Sequence, residues 1–249
     1  MKAATAPAIV PPTISDADFL KFREFFYRKT GIHFEESKRY FVDKRLIERI
    51  EATGSDSFRA YFIALRFEAD GRELQQLVNL MTVNETYFFR ESYQFERWRH
   101  IDDYEVEILS SDIDTTVLAA AERGVYSARS VANLPKHYLD KYFRRLSDNE
   151  YQISRDLVAA VDFSRVNLSD AADTRRFRDI DVIFCRNLLI YFDDLSRRLA
   201  AEAMYDALNP GGFVCLGHSE SMSRISSLYA VRRFPDAMVY QKPLPGERP

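Results

Sequence analysis

The sequence predicts an α/β protein in which a small all-helical N-terminal domain precedes an open, mostly parallel sheet. Three observations carry this. Apolar residues recur at helical spacing through the first third of the chain, with no strand-like alternation. After His100, short apolar runs alternate with helical stretches, the order that builds a parallel sheet covered by helices. The 249 residues, 46% of them apolar, suffice to bury two modest cores.

Residues 1–12 are rich in Ala and Pro and lack a continuous apolar stretch, so they read as a flexible leader. The helical domain is expected over 13–98. Ser15 with Asp18 three residues on is a capping-box pattern. It precedes Phe19, Phe22 and Phe26 at helical spacing, and Gly31 is placed to end that helix. A second helix is expected over about 35–50, with Val42, Leu46 and Ile50 on one stripe, broken by Gly54 and Ser55. A third begins near Ser57 and buries Phe58, Phe62 and Leu65. After Gly71, the residues Leu74, Leu77, Val78 and Met81 give a fourth.

The second domain is expected over 99–243, with 244–249 as a tail. Residues 106–109 read as a buried strand that runs into Ser111-Asp112-Ile113-Asp114. A helix carrying Val117, Leu118 and Ala121 follows, and Gly124 ends it. Residues 181–185 read as a second buried strand, and 213–216 as a third, entered through Asn209-Pro210-Gly211-Gly212. Residues 230–234 and 237–241, separated by Pro235-Asp236, read as a hairpin at the sheet edge.

Composition narrows the function. A net charge of -3 argues against a nucleic-acid or membrane-surface binder, which carries a positive field over the whole domain. No run approaches the ~20 apolar residues of a membrane span. Cys185 and Cys215 lie in strand-like runs as small core residues, which fits a reducing cytoplasm. The four histidines have no Cys or carboxylate at ligand spacing, so no metal site is expected.

Ligands of open α/β sheets bind beyond the carboxyl ends of the strands, which singles out three places. Asp112, just past the first strand, is placed either to accept from both hydroxyls of a ribose or to cap the next helix. Asn167-Leu168 is either an adenine contact or a plain loop. Arg186-Asn187 puts two polar residues directly after a strand, a local conflict of the kind found at functional sites. Lys38, Arg45 and Arg49 share one face of the second helix, which is a solvated basic face or a docking surface. In Asn84-Glu85-Thr86-Tyr87-Phe88-Phe89-Arg90, the paired aromatics and arginine alone read as core plus a solvated guanidinium.

Taken together these segments resemble the chemotaxis-receptor (CheR-type) protein-glutamate O-methyltransferase family over residues 15–243. The string from Met81 to Glu91 is similar to that family's N-x-T-x-F-F-R-E signature. Residues 111–118 with Gly124-Val125-Tyr126, and Val166-Asn167-Leu168, resemble two further motifs. Residues 183–193 are similar throughout to F-C-R-N-x-x-I-Y-F, and Gly217-His218-Ser219-Glu220 to G-H-S-E. The resemblance implies a class I methyltransferase, Rossmann-like sheet and S-adenosylmethionine as cofactor. It implies cofactor contacts from Asn84, Thr86, Arg90, Asp112, Asn167, Leu168, Arg186 and Asn187. Arg90 and Tyr191 would line the methyl-transfer site, and Lys38, Arg45 and Arg49 would dock the cytoplasmic helices of chemoreceptors. The implied reaction is methyl esterification of receptor glutamates. A glutamate carboxylate, with a reference pKa of about 4.3, is ionised at pH 7 and needs no general base, so positioning dominates. The segment 145–151 lacks the glycine-rich insertion of members that grip a receptor's C-terminal pentapeptide, which implies tether independence.

One segment departs from the family. Members carry a strand, a T-G-E-E loop and a helix between the F-F-R-E string and the D-I-D string. Only residues 91–111 stand there in this chain, fewer than the ~30 that a strand–crossover–strand unit requires. The first strand and helix of the sheet are therefore absent, which predicts weakened or lost cofactor binding. The rival reading is a catalytically inactive relative that docks on receptors.

Overall fold

A computed structural model describes residues 13–94, 104–234 and 237–249. The expected leader over 1–12, Trp98 with the expected domain boundary at 98/99, and Pro235-Asp236 of the expected hairpin lie outside the described residues. The chain divides into two compact units, with Thr30–Ile32 grouped with the second and the main division between Met81 and Thr82. Among the described residues the helical unit ends at Met81. Residues 82–94 belong to the second unit because their side chains bond to strand tips and a helix cap there.

The first unit is four helices: α1 (Asp16–Thr30), α2 (Arg39–Ala52), α3 (Phe58–Phe67) and α4 (Arg72–Met81). Ser15 Oγ accepts from the Asp18 N–H and donates to its carboxylate, while Ser57 Oγ accepts from the Ala60 N–H. Each serine satisfies a backbone donor that a helix start leaves without a partner. A single turn of 3-10 helix, Glu36–Lys38, leads into α2, where the sequence pattern suggested continuous α-helix. The core is Phe19, Phe22, Phe26, Val42, Leu46, Ile50, Phe58, Phe62, Leu65, Leu77, Val78 and Met81, all buried as the periodicity predicts.

The second unit is α/β. Its elements run β1 (Ile108–Asp112), α5 (Thr115–Arg123), β2 (Val125–Ser127), α6 (Ala128–Val131), α7 (Lys136–Tyr142), β3 (Phe143–Arg145) and β4 (Glu150–Ile153). They continue with α8 (Arg155–Ala159), β5 (Val161–Arg165), α9 (Ala171–Thr174), β6 (Ile180–Cys185), α10 (Asp194–Ala207), β7 (Leu208–Leu216), β8 (Ala230–Arg233) and β9 (Met238–Gln241). Gly124 ends α5 at φ 67°, a conformation that disfavours a Cβ.

The described strands form three sheets. β1 and β5 form a parallel pair; β2, β4 and β3 form a small antiparallel sheet; β6, β7, β9 and β8 form a mixed sheet with β6 and β7 parallel. Among the described residues, β1 has only β5 as a partner and β6 only β7. The expected single parallel sheet is therefore divided between β1 and β6 among the described residues.

The division corrects one expectation. Residues 106–109 read as a buried strand, yet the strand starts at Ile108, and Ile108 and Leu109 are 48% and 42% exposed. Apolar character marks a strand that some neighbour normally covers; it does not supply the neighbour. Phe184 on β6, 40% exposed, shows the same mismatch.

Candidate active site

The site is organised by residues 82–94, which run from the end of β1 to the tips of β6 and β7. At the start, Thr82 Oγ1 and Asn84 Nδ2 both donate to Asp114 Oδ2, at 2.7 and 2.6 Å. Asp114 is the N-cap of α5, with its other oxygen taking the Thr116 and Val117 N–H groups. The capping role offered to Asp112 thus belongs to Asp114, two residues on. Asp112 is the last residue of β1, and its Oδ1 accepts the Asp114 N–H at 2.8 Å. Burial pushes the Asp112 carboxyl up, only partly offset by that N–H.

In the middle, the Phe88 N–H donates to Ser130 O at 2.9 Å. Its ring meets Tyr126 and Phe143 edge-on at 4.8 and 5.1 Å, which ties the segment to the small sheet. At the far end, Arg90 Nη1 donates to Asn187 Oδ1 at 3.1 Å, and Arg186 Nη2 donates to Arg90 O. Glu91 Oε1 accepts both the His218 N–H and its ring Nδ1 at 3.0 Å, and Arg186 stands 3.7 Å from Glu91 Oε2. Burial pushes the Glu91 carboxyl up, but the His218 bonds and Arg186 outweigh it and hold the group below its ordinary value. Gln94, 4% exposed, donates to Leu216 O at 2.9 Å.

Backbone strain marks the same place. Phe89, Glu91 and Asn187 hold φ of 60°, 53° and 59°, a region L-residues rarely occupy. Two of them flank Arg90 and the third is bonded to it. Such outliers persist only where surrounding contacts hold them.

The expected contact residues fall into two groups. Asp112 and Asn167 lie at neighbouring strand tips, since Asp112 O accepts the Val166 N–H at 2.9 Å. Asn167 is 4% exposed, with Oδ1 accepting the Ser169 N–H, and Leu168 beside it is half-buried. Arg90, Arg186 and Asn187 converge at the tips of β6 and β7. Asn84 sits with the first group through Asp114. The Thr86 side chain is exposed, and Tyr191, 42% exposed, ends a short 3-10 turn after β6. Sequence reasoning missed Glu91, Gln94, Asp114 and Glu220. For Glu91, Asp114 and Glu220 the available signal was their position within the quoted motifs; Gln94 lies outside them and offered none.

The expected docking cations are differently placed. Arg45 Nε donates to Leu80 O at 2.6 Å and its guanidinium lies 3.4 Å from the Phe41 ring centre. Arg49 grips Glu73 through two bonds of 2.9 and 2.6 Å, and Tyr61 adds a third. Both arginines are thus committed inside the helical unit, while Lys38 is exposed. Helical spacing put the three on one face but could not show that α4 supplies partners there.

Comparison with known proteins agrees with the two-unit reading. Residues 17–82 match the family described as CheR methyltransferase, all-alpha domain. Residues 96–236 match CheR methyltransferase, SAM binding domain. The chain is 47% identical to chemotaxis protein methyltransferase 2 of Vibrio cholerae, over 94% of this chain and 96% of that one. It is 32% identical to chemotaxis protein methyltransferase 2 of Pseudomonas aeruginosa (85% and 89%), and 29% identical to the chemotaxis protein methyltransferase of Salmonella typhimurium (88% of each). The Vibrio alignment runs over 275 positions, whereas 94% of 249 residues is about 234, so about 40 positions have no counterpart in this chain.

S-adenosylmethionine is the cofactor of the matched domain. The polar groups suited to it stand at both ends of the site: the Asp112 carboxylate with Asn167 on one sheet, and Arg90, Arg186 and Asn187 on another. Between the two groups, no strand among the described residues joins β1 to β6. With both of its domains matched and its closest-fitting motifs gathered at the strand tips, the chain belongs to the CheR family of chemotaxis methyltransferases.

Proposed function

We propose that the chain esterifies glutamate side chains of chemoreceptors, with the methyl group supplied by S-adenosylmethionine. The observation that carries this reading is Arg90, whose guanidinium is held by Asn187 while its backbone is held by Arg186. A fixed, half-buried cation is suited to orient a carboxylate that is already ionised. Asp112 and Asn167 suit the ribose and adenine, and Tyr191, exposed beside the β6 tip, suits the wall of the transfer site. The receptor is engaged without a pentapeptide tether, because β3 and β4 are joined by only four residues, 146–149. Lys38 is the free member of the proposed docking face, in a cytoplasmic setting that suits the two buried thiols.

The test is incubation of the chain with chemoreceptor cytoplasmic fragments and S-adenosylmethionine, read by mass spectrometry for methylated glutamates. Modification that is lost in Arg90→Ala supports the reading; glutamates left unmodified at millimolar cofactor oppose it.

The divided sheet favours a second reading, a receptor-binding relative without transferase activity. Calorimetric titration with S-adenosylmethionine separates the two. Heat of binding supports the enzyme, and its absence alongside receptor binding supports the module.

A further inference from the structure

The G-H-S-E motif carries no role in the reading above, yet its carboxylate accepts three backbone hydrogen bonds at the site. Glu220 Oε2 accepts the Asn187 N–H at 2.8 Å and the Gly217 N–H at 2.9 Å, and Oε1 accepts the Leu189 N–H at 2.8 Å. Three backbone donors just beyond two strand ends, left without ladder partners, converge on one anion. Gly217 leaves room for this: a Cβ there would stand 2.9 Å from Glu220 Oε2 and 3.2 Å from Asn187 N.

We infer that Glu220 is a positioning residue for Arg90, acting through Asn187. The carboxylate holds the Asn187 N–H while φ of that residue is 59°, so it stabilises a backbone state that asparagine adopts only at a cost. In that state Asn187 Oδ1 receives Arg90 Nη1. The other side of the junction closes the circuit. Glu91, next to Arg90 in sequence, accepts from His218, next to Gly217. Arg90 is thus fixed from both directions by two carboxylates that contact neither its guanidinium nor its backbone. This circuit lies wholly at the β6 and β7 tips and does not depend on what stands beside β1.

The inference rests on Arg90 as the carboxylate-facing group, but its test does not rest on turnover. In the full chain labelled with nitrogen-15, wild type, Glu220→Gln and Glu220→Asp are compared by NMR. A glutamine supplies one acceptor oxygen and an NH2 group that repels a facing N–H; an aspartate is too short to reach all three donors. Both substitutions are expected to shift the Asn187, Leu189 and Gly217 amides, and also the Arg90 Nε–Hε resonance, which Glu220 does not touch. Shifts confined to the three amides, with Arg90 unmoved in both variants, overturn the inference and leave Glu220 a local brace. If Glu220→Gln unfolds the tip, Glu220→Asp alone carries the comparison, with the same two outcomes. Absence of methyl transfer with the Arg90 shift intact counts against the proposed reaction alone.

Discussion

The Glu73 carboxylate and the Arg49 guanidinium meet through two hydrogen bonds, and Tyr61 donates a third to the same carboxylate. Burial first, and then the Glu73 bond, push the Tyr61 hydroxyl far above its ordinary pKa. Because the pair is mostly buried, removal of one partner leaves the other without compensation. Arg49→Ala is expected to destabilise the helical unit by about 2 kcal/mol, read as an earlier urea midpoint. An unchanged midpoint would return Arg49 to the role of a free surface cation.

The apolar flank of β1 has a different consequence. Ile108 and Leu109 are roughly half exposed on a two-stranded sheet, which invites edge-to-edge association. Leu109→Lys is expected to reduce self-association in sedimentation velocity while leaving the unfolding midpoint within about 0.5 kcal/mol of wild type. A sharply less stable variant would mean that Leu109 is covered.

Two carboxylates give opposite pH signatures. Glu91 is held below its ordinary value of 4.5, so its contribution to stability is present above that value and lost as pH falls through the lower folded pKa. Asp112 is raised above 3.8, so its protonated form favours the fold and stability is lost as pH rises through the raised value. Asp112→Asn is therefore expected to raise the melting temperature at pH 7 and to change it little below pH 3.8. Glu91→Gln should lower it at pH 7. Both are read by calorimetry; a melting temperature lowered by Asp112→Asn at pH 7 contradicts the sign.

Burial pushes the Cys185 thiol up to about 12 and Cys215 up to about 11. Neither is expected to react with a disulfide reagent at pH 8 until the chain unfolds. Cys185 closes β6, the strand that borders the division, so its early labelling alone would reveal opening at that edge.

These expectations depend on features of unequal legibility. The α1–α4 core was plain because helical periodicity and the Ser15 and Ser57 caps are local. β5 was missed, since Val161-Asp162-Phe163-Ser164-Arg165 is short and half polar, and the three short strands of the small sheet offered little periodic signal. The division between β1 and β6 was foreseeable from the missing length, but not the exposure of Ile108, because apolar residues look the same whether or not a neighbour covers them. Asp112, Asn167 and Asn187 could be nominated as strand-tip residues. Glu220 and Glu91 could not be given roles, because their partners lie 33 and 127 residues away and only the fold brings them together.

The most direct test uses S-adenosylmethionine carrying a radiolabelled methyl group, incubated with the chain and a chemoreceptor fragment. The protein fraction is then treated with mild base to release esterified methyl as volatile methanol. The account expects base-labile label on the receptor that falls at least tenfold in Arg90→Ala. Receptor that binds the chain yet stays unlabelled at millimolar cofactor would contradict it.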